Sequence, residues 1–417
     1  MLDETGYGPS FRRRGSGNML THTVMAVLGA ALATGLLLAF YNPGSGGSGI
    51  SLPGSGAVPA PAPAAPLAGG EQAIVTKVEP GLVIVNTALQ YNSEAAAGTG
   101  MVINADGLVL TNNHVIDDST KITATVAATG RTYPATVVGY DKTGDIALIQ
   151  LQNASGLTTV PIGNSSSVKV GNAVVALGNA EGRGSITPTA GEVTGLNQTI
   201  TASEEGSSSA SETLSGMIQT DADVVPGDSG GPLASSAGVI GMDTAGNGVS
   251  DQQQAPAGFA IPINTALSVA RQIAGGHASS TITIGYPPFV GIFVSSGSSS
   301  SPQAQAQQEE QQQQNGGSGS SPACYTSNAD LTVPSVIAPV SSGTLIVGTI
   351  CGSPAASAGM TGGAVITTVN GKAVGSPDDL TGILSRFRPG DTISVTWVSP
   401  SGQRSTSSLH LTAGPPQ

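Results

Sequence analysis

A chain of 417 residues with 14 basic and 26 acidic side chains carries a net charge of −12, and so lacks the basic face that nucleic acid binding requires. Charged residues make up 10% and aromatics 3%, while glycine occurs 59 times, which points to a β-rich, turn-rich chain long enough for two domains plus linkers. Two cysteines and four histidines form no cluster with zinc spacing, so neither a metal nor another cofactor is expected.

Residues 1–18 include Arg12-Arg13-Arg14 and read as a cytoplasmic basic tail. Residues 19–40 are apolar apart from polar spacers and His22, and are long enough to cross a bilayer as a helix. An uncleaved signal anchor is favoured over a cleaved signal peptide: the apolar core is unusually long, and no small-x-small site follows Leu38. Either way, the remainder faces outside the cytoplasm. Residues 41–70, rich in Gly, Pro, Ala and Ser, cannot bury enough apolar surface to order and read as a stalk.

From Glu71 to Ile263 short β-like runs recur between turn signals, a spacing that fits an all-β barrel or sandwich. Val102–Leu110 reads as two strands joined by Asp106-Gly107. His114 follows, just past a strand end, where an imidazole can swing into a cleft. The other histidines are less suited to catalysis: His22 is in the apolar segment, His277 follows a Gly-Gly pair, and His410 is in a late strand. Of two acids in Asp141–Ile149, Asp145 directly precedes an apolar run and can reach the interior, whereas Asp141 is expected to be solvated. The stretch Thr201–Glu212, rich in Ser and Glu, reads as a mobile loop.

The run Gly227-Asp228-Ser229-Gly230-Gly231-Pro232 has the form of a nucleophile loop. A serine hydroxyl needs a base to take its proton and donors for the oxygen that becomes negative. Ser229 is the candidate nucleophile, His114 the base and Asp145 its orienter, with the N–H groups of Gly227 and Ser229 as the oxyanion hole. Their order along the chain is His, Asp, Ser. Asn264 is placed to cap a short helix through Ala274, ended by Gly275-Gly276.

Thr111–Val115, Gly144–Leu148, Val174–Asn179, Ile218–Ala222, Pro226–Leu233 and Gly258–Pro262 resemble the conserved blocks of HtrA-type serine proteases, with the nearest likeness to PepA-like serine proteases of mycobacteria and other actinobacteria. The resemblance covers roughly residues 71–415. It implies a mainly β fold: a chymotrypsin-like double β-barrel over 71–276, followed by an α+β PDZ domain over 285–417, behind the N-terminal transmembrane helix. It implies an endopeptidase acting on unfolded or exposed polypeptide segments, and trimers are common among such proteins. A protein-binding holdase with minor proteolysis and an ester hydrolase are the rival readings.

Asp228 stands where many relatives carry Asn, and in trypsin-type enzymes that Asp pairs with a freed N-terminus, for which Ile74-Val75 is a weak candidate. Asp223, six residues before Ser229, is either a specificity acid for basic side chains or an exposed loop acid. Tyr286–Phe293 resembles a PDZ carboxylate-binding loop, in which the N–H groups of Phe289, Val290, Gly291 and Ile292 would hold a peptide C-terminus. The matching continuation begins only at Leu345, so residues 295–342 are either a low-complexity insertion or a linker. Pro377–Phe387 is the expected groove helix, and Trp397 is expected to serve packing. An oxidising compartment permits a bridge between Cys324 and Cys351.

Overall fold

The computed structural model describes residues 67–89, 94–202, 212–244, 258–295, 299–312, 322–328 and 331–416. The expected basic tail, the membrane segment and nearly all of the stalk lie outside the described residues. Among the described residues no helix is long and apolar enough to cross a membrane.

Helix α1 (Gly69–Val78) starts where the stalk was expected to end. The Ala68 N–H donates to Glu71 Oε2 at 2.7 Å, which compensates the capping side chain that Ala68 lacks. Ile74 and Val75 lie in mid-helix and are buried, so they are not a freed terminus that could reach Asp228.

The first barrel is antiparallel. It comprises β1 (Leu82–Leu89), β2 (Glu94–Asn104), β3 (Leu108–Thr111), the one-turn helix α2 (Asn113–Ile116), β4 (Lys121–Val126), β5 (Thr132–Asp141) and β6 (Ile146–Leu151). Its order is β5-β4-β1-β2-β3-β6, and β5 pairs back onto β6 to close it. The β2–β3 hairpin turns at Asp106-Gly107 as expected, with Gly107 at φ +91°. Inside pack Val83, Val85, Val102, Val109, Ile122 and Ile149, the inward members of alternating strands.

The second barrel is closed in the order β10-β11-β12-β9-β8-β7. Its strands are β7 (Ala173–Gly178), β8 (Thr187–Ala202), β9 (Glu212–Thr220), β10 (Pro232–Ser235), β11 (Gly238–Thr244) and β12 (Gly258–Pro262). The ends of the expected mobile loop belong to this ladder: Thr201 pairs with Thr213, and Ala202 with Glu212. Its middle lies outside the described residues.

Helix α3 (Ile263–Ala274) packs with α1 and with residues of both barrels, among them Leu82, Leu148, Val175 and Met242. Pro262, not Asn264, holds its N-cap position. Asn264 lies inside the first turn, and its Nδ2 donates to Asn164 Oδ1 and Ser166 Oγ. Strand β13 (Ile282–Ile284) then joins the outer edge of β5.

The C-terminal module is α+β. Strands β14 (Pro288–Phe289) and β15 (Ile292–Phe293) are followed by helix α4 (Pro302–Gln312), β16 (Thr344–Leu345), β17 (Gly348–Thr349) and α5 (Pro354–Ser357). Then come β18 (Val365–Val369), β19 (Lys372–Ala373), α6 (Pro377–Leu384), β20 (Thr392–Val398), β21 (Arg404–His410) and β22 (Thr412–Ala413). The core gathers Val290, Ile346, Ile366, Leu380 and Trp397, so the lone tryptophan does serve packing. Among the described residues, hydrogen bonds between module and first barrel include Gly285 N–H to Val138 O (2.8 Å), Val137 N–H to Tyr286 Oη (3.3 Å) and Asp118 N–H to Pro416 O (2.9 Å), next to the pairing of β13 on β5.

β15 pairs with β17, with residues 295–342 running between them. This segment is not without structure. Gln305 is buried, its Nε2 donates to Gly343 O (2.8 Å), and its Oε1 accepts from the Leu345 N–H (2.7 Å). An amide that satisfies the start of a strand this way gives an otherwise polar helix a reason to dock. Cys324 is disulfide-bonded to Cys351, and Tyr325 pairs with Ile350 and meets Phe293 edge-on at 6.4 Å between ring centres. The bridge spans 27 residues of sequence, for which chain entropy gives about 3.5 kcal/mol of stabilisation. Cys324→Ser is therefore expected to lower the melting temperature of the module, with no further drop on adding a thiol reductant, as thermal denaturation would show.

Candidate active site

Strand β3 leads directly to the site. Thr111 Oγ1 donates to Thr99 O (2.7 Å), and Asn112 Nδ2 to Asp145 O (2.9 Å). His114 stands in α2, its N–H donating to Asp145 Oδ1 at 3.1 Å. Its Nδ1 lies 3.0 Å and 2.9 Å from the two carboxylate oxygens. An ionised carboxylate only accepts, so Nδ1 carries the proton and Nε2 is the basic nitrogen.

Asp145 is 2% exposed and sits at φ +51°, a left-handed conformation that Asp tolerates better than most side chains. The Thr244 hydroxyl, from the end of β11, donates to Asp145 Oδ2 at 2.9 Å. Asp141 departs from expectation: it is 8% exposed rather than solvated. It ends β5, and its Oδ1 accepts from the Gly144 N–H (3.2 Å), closing the turn that presents Asp145. Asp145, not Asp141, reaches His114.

The loop between β9 and β10 carries Ser229, which is 4% exposed. Gly227 (φ +97°) and Gly230 (φ +82°) adopt backbone conformations that a side chain would strain. A Cβ at 227 would overlap Asn179 O, one at 230 would strike Thr111 and Thr99, and one at 231 would strike Leu177 O. Close backbone approach thus explains the glycines around the serine. Thr99 in β2 fastens this loop to the first barrel. Its N–H donates to Ser229 O (2.9 Å) and its Oγ1 to Gly227 O (2.8 Å), while Asn179 N–H donates to Thr99 Oγ1 (2.9 Å). Gly98, beside it, lies against both Val115 and Ser229 O. The segments carrying His114 and Ser229 therefore meet across β2. Thr99 and Thr244 had no signal in the sequence, because their partners Gly227 and Asp145 lie 128 and 99 residues away, whereas Thr111 and Asn179 sit at the ends of recognisable blocks that do not show what they bond.

Asp223 is exposed on the loop after β9, so it is not the buried carboxylate that a cation-selective pocket would need. Phe289–Ile292 lie in the C-terminal module. Phe289 pairs with Thr412, Val290 O accepts from the Ala355 N–H (3.0 Å), and Gly291 O from the Ile350 N–H (2.9 Å) and Ser353 Oγ (3.1 Å). Among the described residues no group of three or more His, Cys, Asp or Glu side chains could hold a metal ion.

Two further carboxyl groups are buried beside the nucleophile. Asp228 is 3% exposed and Asp243 fully buried. Burial pushes Asp228 up to about 6; the Val225 N–H on Oδ2 (3.0 Å) opposes this and the charge of Asp223 adds to it. Burial, and then the charge of Asp228, hold Asp243 well above the ordinary carboxylate range.

The profile of the trypsin-like peptidase domain matches residues 98–242, which span both His114 and Ser229. Serine protease PepD of Mycobacterium tuberculosis is 32% identical over 403 residues, covering 93% of this chain and 75% of that protein. The periplasmic pH-dependent serine endoprotease DegQ of Escherichia coli is 41% identical over 182 residues, 42% of this chain and 37% of that protein. A solved structure of the HtrA-type protease AlgW with a tripeptide is 25% identical and covers 83% of this chain and 98% of its own, at a TM-score of 0.43, too low to support a structural argument. With a relative 32% identical over 93% of this chain and 75% of its own length, and with the trypsin-like profile reaching into both barrels, the chain belongs to the HtrA-type family of trypsin-like serine endopeptidases.

Proposed function

We propose that Ser229 is the nucleophile, that His114 Nε2 takes its proton and returns it to the leaving amine, and that Asp145 holds the imidazole in that tautomer. The N–H groups of Gly227 and Ser229 stabilise the oxyanion. The observation that carries this reading is the His114 Nδ1–Asp145 contact at 2.9 Å, in a site whose neighbouring strand also holds the Ser229 carbonyl. A holdase would need none of this arrangement, and no observation favours one. The test is labelling of the full chain with a serine-reactive phosphonate, followed by peptide mapping. A label at Ser229, absent after His114→Ala, is the expected result; a label elsewhere, or one indifferent to His114, would refute the assignment.

The enzyme is proposed to work outside the cytoplasm, tethered by residues 19–40. The Cys324–Cys351 bridge supports an oxidising compartment, and relatives of similar sequence are named as periplasmic. Its substrates would be unfolded or exposed polypeptide segments. Residues 285–417 are proposed to act as a PDZ domain that captures polypeptide C-termini. The α+β topology, the β14–β15 loop and helix α6 support that reading. Gly291 sits at φ +79°, and a Cβ there would run into Ser353. Gly291→Val is expected to weaken C-terminal peptide binding at least about tenfold, or about 1.4 kcal/mol. Calorimetric titration with a peptide and its C-terminally amidated form would show it; equal affinity for the two forms would contradict carboxylate capture.

A further inference from the structure

Asp228 and Asp243 have no role in the chemistry proposed above, yet they flank it. Asp228 directly precedes Ser229. Its N–H donates to Val225 O (3.0 Å) while its Oδ2 accepts from the Val225 N–H (3.0 Å), so both ends of the residue fasten the turn over 225–228. Asp243 brackets the other side: Gly230 N–H donates to its carbonyl (2.8 Å), and its own N–H donates to Gly231 O (2.7 Å). Asp228 Oδ1 and both oxygens of Asp243 are buried without a hydrogen-bond partner. Space is tight, because a Cβ at Gly178 would overlap Asp228.

Among the described residues, the surroundings offer this pair no compensating charge. The loop after β9 brings Asp223, which is acidic and exposed. In the turn at 180–183, Arg183 pairs with Glu181, and both side chains are more than half exposed. Asp145, reached through Thr244, is already engaged with His114. Asp221 is exposed and accepts from the Glu192 N–H. Strand β12 places Ala260 opposite Asp243. Two buried carboxylates whose charges act on one another, with no cation beside them among the described residues, cannot both ionise cheaply, and their titration belongs to the pair.

We propose that Asp228 and Asp243 are a positioning pair that retains one proton at neutral pH, and that this singly protonated state holds the Ser229 loop in its catalytic arrangement. When the second proton leaves, like charges at both flanks drive Asp228 toward solvent and release Val225. The raised values of both groups fix the sign. A carboxyl raised in the folded state favours folding below its ordinary value of 3.8, and that contribution is lost as pH rises through the folded value. Asp228 loses its contribution as pH passes about 6 and Asp243, held higher by complete burial, loses its own only above that, so the pair sets the upper pH limit of the loop.

The activity arm of the test rests on the proposed role of Ser229; the spectroscopic arm does not. Infrared spectra of the full chain should show a protonated carboxyl band at pH 7 that persists in Glu309→Gln, the control for a carboxyl raised by burial elsewhere. That band should vanish in Asp243→Asn and should shift but persist in Asp228→Asn, because burial still holds Asp243 protonated. In both variants the alkaline limb of kcat/KM should move up by at least about one pH unit, because an amide in place of one carboxyl leaves no second charge to repel. If the band is absent at pH 7 in the unaltered chain, the shared proton is refuted, whatever the activity. A scaled-down pH profile of unchanged shape in both variants would mark a structural role only and overturn the positioning claim.

Discussion

Ser229→Ala is expected to lower kcat for peptide hydrolysis about a million-fold, with the melting temperature nearly unchanged. The size follows from the loss of the attacking atom: a triad acts as a unit, and what survives is the roughly thousand- to ten-thousand-fold that substrate binding and the oxyanion donors supply by themselves. The fold should be spared because the bond that fastens this residue to the first barrel runs through its carbonyl, which accepts from Thr99. Comparing wild type and variant on one unfolded protein substrate, with thermal denaturation alongside, tests both halves. Residual cleavage within tenfold of wild type would place the nucleophile elsewhere.

Asp145→Asn is expected to cost about ten-thousand-fold in kcat while leaving KM close to its original value. The carboxylate receives the His114 N–H, the His114 ring and the Thr244 hydroxyl. An amide is nearly isosteric, but it has one acceptor oxygen where the carboxylate has two. Thr244 donates to Oδ2 and the His114 main chain to Oδ1, so the amide NH2 displaces one of these donors in either orientation and lies within reach of Nδ1. The ring then places its proton on Nε2, where a base is required. Phosphonate labelling should slow in parallel with peptide hydrolysis, because both need the activated hydroxyl. A loss under about tenfold would mean that His114 is oriented by another group.

The sequence was most informative where the chemistry is local. His114, Asp145 and Ser229 each stand in a short run whose neighbours constrain them, and the glycines at 227, 230 and 231 announce the close approaches found around the loop. Strand boundaries at Leu108–Thr111, Lys121–Val126 and Ile146–Leu151 could be read from alternation and turns. Thr99 and Thr244 could not. Each is one threonine among many in strands, and its function is set by a partner 128 or 99 residues away. Asp141 stands beside Lys142 in a stretch that reads as solvated, whereas the bond from Gly144 turns its carboxylate inward. Helix α1 was hidden by Gly69-Gly70, which continues the composition of the preceding stretch. Helix α4 looks disordered by composition and is held mainly by Gln305 and Ala306.

Pro416 O rests on the Asp118 amide, only four residues beyond His114. Pro416 thus acts as a tether on the turn behind His114. A bulky fusion joined immediately after Pro416 would pull on that turn, so where an affinity handle is attached becomes a mechanical variable for the enzyme.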